Sequence, residues 1–187
     1  LSACATWGNL ATIMRTSDDH GATWSKARII NPEHGLRHMP VESVIETSDG
    51  RILLPCDATS VGAGGTAIHE SRDRGATWRD LGEGKPRPSF QNGSEGGWVA
   101  GIHGGIVELK DGRLLGFGRG NDISGHMPKS VSKDGGKTWT YSPSMFAPLM
   151  GGQRLALLRL REGPIFIATF GAGQMRIPAP DGRIRPA

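Results

Sequence analysis

Ser17-Asp18-Asp19-His20-Gly21-Ala22-Thr23-Trp24, Ser71-Arg72-Asp73-Arg74-Gly75-Ala76-Thr77-Trp78 and Ser132-Lys133-Asp134-Gly135-Gly136-Lys137-Thr138-Trp139 are three copies of one pattern, Ser-x-Asp-x-Gly-x-Thr-Trp. Each fixed position has a job in a tight hairpin. The carboxylates of Asp19, Asp73 and Asp134 can accept backbone N–H bonds across the turn. Gly21, Gly75 and Gly136 permit a positive φ. The hydroxyls of Ser17, Ser71 and Ser132, and of Thr23, Thr77 and Thr138, can tie the flanking strands. Trp24, Trp78 and Trp139 each offer a large apolar plug between strands. These residues read as structural rather than catalytic.

A second signal keeps step with the boxes. Hairpin turns occur at Ser48-Asp49-Gly50-Arg51, Lys110-Asp111-Gly112-Arg113 and Arg161-Glu162-Gly163-Pro164, each between strand-like apolar runs. From Asp49 to Asp73 is 24 residues and from Asp111 to Asp134 is 23, so turn and box belong to one repeating unit. In the second unit the strands are expected at 41–47, 52–56, 66–71 and just after Trp78. In the third they are expected at 105–110, 114–117, 129–132 and 140–146. No helical period competes, and four antiparallel strands per unit make a propeller blade. The 29 glycines among 187 residues agree, since they favour many short strands joined by tight turns.

The boxes resemble the Asp-box, or BNR, repeats of the sialidase superfamily, whose blades carry the box between their third and fourth strands. Met39-Pro40-Val41-Glu42-Ser43-Val44 and Ala100-Gly101-Ile102-His103-Gly104-Gly105 resemble a bacterial sialidase-like branch of it. The fold class expected is therefore all-β, a six-bladed sialidase-type β-propeller present in part. Residues 1–187 form one domain, divided into a partial blade (1–31), two complete blades (32–85 and 86–146) and a partial blade (147–187). A turn 24 residues before Asp19 would precede residue 1, and a fourth box is due near residue 186, where none stands. Such a half propeller would expose blade faces and strand edges, and is expected either to self-associate or to be marginally stable.

Composition narrows the partners. A net charge of +4 and a pI near 9.4 suit an anionic ligand, but the lysines and arginines are scattered singly, with no basic run or aromatic stripe for nucleic acid. A glycan with an acidic sugar is the more economical anion. No apolar stretch is long enough for a membrane helix. Cys4 and Cys56, the only cysteines, are not spaced as a metal knuckle and read as free thiols. Gly116-Phe117-Gly118-Arg119-Gly120 opens no helix, and Gly62-Ala63-Gly64-Gly65 lacks the Lys-Ser/Thr of a phosphate loop, so no cofactor is expected.

The candidate site lies on the rim opposite the boxes, where this superfamily places its active site. The loops there span about 32–40, 57–65, 83–104, 119–128, 147–154 and the segment after Phe170. The longest, 83–104, carries Arg87, Gln91, Asn92, Glu95, Trp98 and His103 and reads as functional by its length. The catalytic candidates are His103, Glu95 and Asp57. His103, between glycines, reads either as a channel-facing imidazole or as a packed structural histidine. Glu95 reads as a carboxylate that organises on binding, or as a solvated loop residue. Asp57 and Arg119 both fall eight residues after their turn Asp, which fits a site or an interblade salt bridge. Arg37, Arg119 and Arg154 end different blades and could jointly grip a carboxylate, and His126 joins them as a binding candidate. Each arginine also reads as a surface charge.

The resemblance implies a sialidase-like exo-glycosidase, or a non-catalytic glycan- or protein-binding propeller, or a His-dependent hydrolase or lyase of uronic-acid glycans. Sialidases use a Tyr nucleophile paired with Glu, an Asp acid/base and three Arg. The only tyrosine here, Tyr141, stands two residues after a box Trp on an outer strand, a poor place for a nucleophile.

Overall fold

The structure, a computed structural model, describes residues 2–7, 11–31, 39–58, 64–149, 151–152, 154–169, 176–178 and 184–186. Those residues contain strands and turns and no helix, so none is long and apolar enough to cross a membrane. The first sheet has the order β1 (Ser2–Trp7), β2 (Ala11–Thr16), β3 (Arg28–Asn31). The second runs β4 (Ile45–Glu46), β5 (Ile52–Asp57), β6 (Gly65–Ser71), β7 (Arg79–Asp80). β8 (Glu95–Gly96) and β9 (Val99–Ala100) are short additions described below. The third sheet is β10 (Ile102–Glu108), β11 (Leu114–Arg119), β12 (Pro128–Ser132), β13 (Trp139–Pro143), and the fourth pairs β14 (Leu155–Arg159) with β15 (Ile165–Thr169). A last hairpin joins β16 (Arg176–Pro178) to β17 (Ile184–Pro186).

All these pairings are antiparallel, and the boxes fill the same connection each time: β2 to β3, β6 to β7, β12 to β13. The chain is thus a partial β-propeller with two complete blades. The two additions stitch those blades together, because β8 pairs with β13 of the third sheet while β9 pairs with β6 of the second.

Strand alternation explains how the blades stack. Neighbouring residues of a strand face opposite sides of the sheet, and on β10 Ile106 and Val107 enter different cores. Ile106 packs with Leu53, Ile68, Val99, Leu114 and Trp139 between the second and third sheets. Val107 packs with Phe117, Met127, Leu155 and Leu157 between the third and fourth. The third blade is covered on both faces, which is why its strands carry apolar residues on both phases.

Each box closes on itself. The serine hydroxyl donates to the Asp carboxylate at 2.7, 2.8 and 2.8 Å and accepts the glycine N–H at 2.8, 2.7 and 2.9 Å. The threonine N–H reaches the same carboxylate at 2.9, 2.8 and 2.9 Å. Hydrogen bonds led by the Thr23 and Thr77 hydroxyls pull Asp19 and Asp73 down to a pKa of about 2. The box glycines have φ of 90°, 81° and 98°, a region a side chain would strain.

The tryptophans differ from the expectation that each is a plug. Every indole N–H donates to the glycine carbonyl of its own box. Only Trp139 is fully buried, under the core between the second and third sheets, whereas Trp24 is 37% exposed. A plug must be covered on all sides, and Trp24 is not.

Arginines clamp each blade to the next one's box. Arg28 donates to the carbonyl of Gly75 at 2.5 Å and Arg51 to that of Gly135 at 2.8 Å. Arg51 follows the β4–β5 turn, so that turn and the third box share one face of the propeller.

Candidate functional site

On the opposite rim, β5 ends at Asp57 and β10 begins beside His103. The segment Gly101–Gly104 arrives from the second blade and must turn sharply into β10. Gly101 has φ 87° and His103 has φ 51°, and the β10–β11 register shifts between Ile102 and Gly105. A histidine in the left-handed region is strained and persists only where its surroundings hold it. Asp57 is one of those restraints: its Oδ1 accepts the His103 backbone N–H at 3.1 Å, and its Oδ2 lies 3.5 Å from His103 Nδ1. Both side chains are largely buried, at 6% and 11% exposure, and Nδ1 itself is sealed from solvent.

Two cations act on this pair. Arg119 ends β11, directly across from Ile102, and Arg154 immediately precedes β14. Burial pushes the Asp57 carboxyl above the usual carboxylate range, against the pull of His103, Arg154 and Arg119. Burial also holds the His103 imidazole below its ordinary value, with Arg119 and Arg154 adding to the effect and Asp57 opposing it. The imidazole is therefore neutral at neutral pH and can take up a proton, in positive surroundings that favour an anion.

Of the residues singled out from sequence, Asp57, His103, Arg119 and Arg154 come together. Arg37 lies outside the described residues, as do residues 59–63 and 170–175 of the rim loops. Glu95 does not join them. It sits exposed on β8 against the outer strand β13, where Thr140 Oγ1 donates to its Oε1 at 3.3 Å. His126 is exposed in the tight Ile123–His126 turn with its Nδ1 2.9 Å from the Ser124 carbonyl, and it is not among the groups acting on the pair.

The long 83–104 segment is largely packing. Phe90 and Trp98 are buried, Phe90 meets Tyr141 edge-on at 5.2 Å, and the Tyr141 hydroxyl donates to the Trp98 carbonyl at 2.7 Å. Only its end, 101–104, reaches the pair. Tyr141 is fully buried, and that burial drives its hydroxyl pKa upward, so it is a post between the sheets and no nucleophile.

Two residues not singled out from sequence also belong here. Asn121 Nδ2 donates to the Gly64 carbonyl at 2.6 Å, joining the β11–β12 loop to the β5–β6 loop. Thr66 places a buried hydroxyl against the 101–104 turn. An Asn after a strand and a Thr within one carry no sequence signal for such roles. Among the described residues no three His, Cys, Asp or Glu side chains gather to hold a metal ion.

No curated protein sequence matches the chain. Among solved structures it is similar to a protein of unknown function from Dyadobacter fermentans DSM 18053, at 17% identity and a TM-score of 0.61, over 92% of this chain and 48% of that one. It is similar to the NanB sialidase from Streptococcus pneumoniae at 19% identity and 0.58, over 85% and 23%. It is also similar to an ulvan lyase of polysaccharide lyase family PL25 at 10% identity and 0.54, over 90% and 42%. The chain thus spans about half the length of the first and about a quarter of the second. At these identities the likeness concerns the fold, a sialidase-type propeller. The sequence family described as the BNR repeat-like domain matches residues 2–170, and the chain belongs to it.

Proposed function

We propose that this rim acts on glycans bearing an acidic sugar, with Arg119 and Arg154 receiving the sugar carboxylate and the His103–Asp57 pair moving the proton. The observation that carries the reading is the pair itself: a largely buried imidazole, held by a buried carboxylate through its own backbone N–H, with Arg119 of β11 and Arg154 ahead of β14 acting on both. Arginine pairs suit a carboxylate, whose two oxygens match the guanidinium fork. A general base must be neutral at working pH and fixed in place, and His103 meets both conditions.

The geometry favours elimination over hydrolysis. In a uronic-acid glycan the proton beside the carboxylate is acidified when that carboxylate is neutralised, which is what two arginines supply. His103 takes this proton and later returns it to solvent, the C–H bonding pair forms a C4–C5 double bond, and the C4–O bond breaks, the leaving oxygen taking a proton from water. Hydrolysis by the sialidase route uses a tyrosine nucleophile, and Tyr141 does not serve as one, since its buried hydroxyl is bonded to the Trp98 carbonyl. The likeness to an ulvan lyase is compatible with this choice.

The test is turnover of sialylated and uronic-acid oligosaccharides, followed by reducing ends and by the ultraviolet absorbance of unsaturated uronate. Unsaturated product that vanishes in His103→Ala is expected. New reducing ends without unsaturation would make the chemistry hydrolytic. Binding with no product would leave a glycan-binding propeller. Full turnover by His103→Ala would sink the assignment of the base.

A further inference from the structure

Gly101 through Gly104 brings the chain into β10 at a break in the β10–β11 register, with His103 at positive φ. A side chain bridges the two ends of this turn of the chain. The Thr66 hydroxyl donates to the Gly101 carbonyl at 2.9 Å and accepts the Gly104 N–H at 2.9 Å. Thr66 lies on β6, is fully buried, and is paired across the sheet with Asp57. The fit is close: a Cβ on Gly104 would lie 2.8 Å from the Thr66 hydroxyl and 3.0 Å from the Phe117 carbonyl.

We propose that Thr66 is a positioning residue for His103, its hydroxyl bridging both ends of the turn so that the imidazole is held over Asp57 in a backbone conformation it would otherwise leave. Three restraints act on one strained residue. The Asp57 carboxylate holds its N–H, and the single hydroxyl of Thr66 holds the groups on either side. Their cross-strand pairing aims both at the turn, Asp57 from the end of β5 and Thr66 from the start of β6. A left-handed non-glycine residue costs on the order of 1–3 kcal/mol and needs such over-determination. Loss of the hydroxyl leaves a buried carbonyl and a buried N–H without their partner, and the turn relieves both by opening.

As a catalytic statement this rests on the acid/base reading above, but its first test does not. The groups facing His103 are Asp57 from β5, Arg119 from β11 and Arg154 ahead of β14. Burial is the largest influence on the ring, so a turn that opens lets its pKa rise towards the ordinary imidazole value. The experiment is an NMR titration of the imidazole, assigned by the signal lost in His103→Gln, in wild type, Thr66→Ser, Thr66→Val and Gly104→Ala. Thr66→Ser keeps the hydroxyl and should titrate like wild type. Thr66→Val and Gly104→Ala, which disturb the bridge from its two sides, should both raise the pKa.

If Thr66→Val fails to fold, Gly104→Ala decides alone. An unmoved His103 titration in the folded variants, even with a lower Tm, would reduce Thr66 to packing and overturn the proposal. With an acidic glycan that is turned over, Thr66→Val should lose kcat on the order of a hundredfold with KM little changed, as for a misplaced reacting group, and Thr66→Ser should recover it. Should wild type turn over no glycan, the functional reading falls while the titration still settles the role of Thr66.

Discussion

Glu70→Ala probes the joint that fixes the second blade to the third. Glu70 has only 1% of its side chain exposed. Its Oε1 meets Arg51 Nη1 at 3.2 Å and Arg72 Nη2 at 3.1 Å, and its Oε2 takes Arg79 Nε at 2.6 Å. Arg51 is itself 9% exposed and continues to Asp49 at 2.7 Å and to the Gly135 carbonyl in the next blade's box at 2.8 Å. Arg72 and Arg79 are more than half exposed, so each contributes at most about 1 kcal/mol. The main cost falls on Arg51, whose buried charge loses its buried partner. Breaking such a pair costs roughly 3–5 kcal/mol, and Asp49, still bonded to Arg51, keeps the result near the lower end.

Urea unfolding of Glu70→Ala should show that loss, while Glu70→Leu combined with Arg51→Met should recover most of it because no charge is left stranded. The pH dependence follows. Burial alone would raise the Glu70 carboxyl, but the bonds from Arg72, Arg79 and Arg51 outweigh it and leave it below the ordinary 4.5. Its stabilisation is full above 4.5 and is lost as pH falls through its lowered folded value. Glu70→Gln should lack that acid-side decline. A Glu70→Ala variant within about 0.5 kcal/mol of wild type, the range of a neutral surface change, would refute the reasoning, as would a double variant no better than the single.

Tyr141→Phe strands the Trp98 carbonyl in the core and should cost about 1–3 kcal/mol by denaturant titration, leaving turnover of the folded protein unchanged. Asp57 raises the His103 pKa, so Asp57→Asn should lower it further, read by NMR. The lowered imidazole value also carries a stability signature: the unfolded chain binds the proton first, so this contribution is full above about 6.5 and is lost as pH falls towards the folded value. His103→Gln should flatten that part of the stability–pH curve. Arg154→Ala should raise KM for a uronic-acid substrate by more than it lowers kcat, and the difference should shrink with added salt because Arg154 is exposed.

The boxes were legible because their chemistry is local: serine, aspartate, glycine and threonine bond one another within four residues of chain. The rim was legible only through topology. Asp57 and His103 are 46 residues apart, and nothing in their own neighbourhoods joins them. Their meeting follows from strands that end on the same face. Glu95 was singled out through the extra length of 83–104, and it stands apart from the Asp57–His103 pair. That length is consumed by β8 and β9, and Phe90 and Trp98, aromatics that seek burial, were the signal that it packs. Thr66 left no trace, since a threonine in a strand is what β propensity alone would place there.

The two faces of the propeller are stabilised differently, and this makes their coupling testable. Box-side bonds are largely local, with interblade ties from Arg28, Arg51 and Lys85 to a box and from Ser48 to Glu108, whereas the rim depends on contacts between strand ends of different blades. Glu70 and Thr66 share β6 but stand four residues apart, about 13 Å at 3.3 Å per residue. The charges acting on the His103 imidazole are Asp57, Arg119 and Arg154, with Glu70 not among them, and the comparison is made at physiological ionic strength. The intervening Ala67, Ile68 and His69 are buried in the blade. Removing the Glu70 charge should therefore lower global stability without moving the His103 titration of the folded protein at that ionic strength. A shift of that titration in Glu70→Ala, under conditions where both variants are fully folded, would show that the blade transmits strain along β6 and that the rim is not held by Asp57 and Thr66 alone.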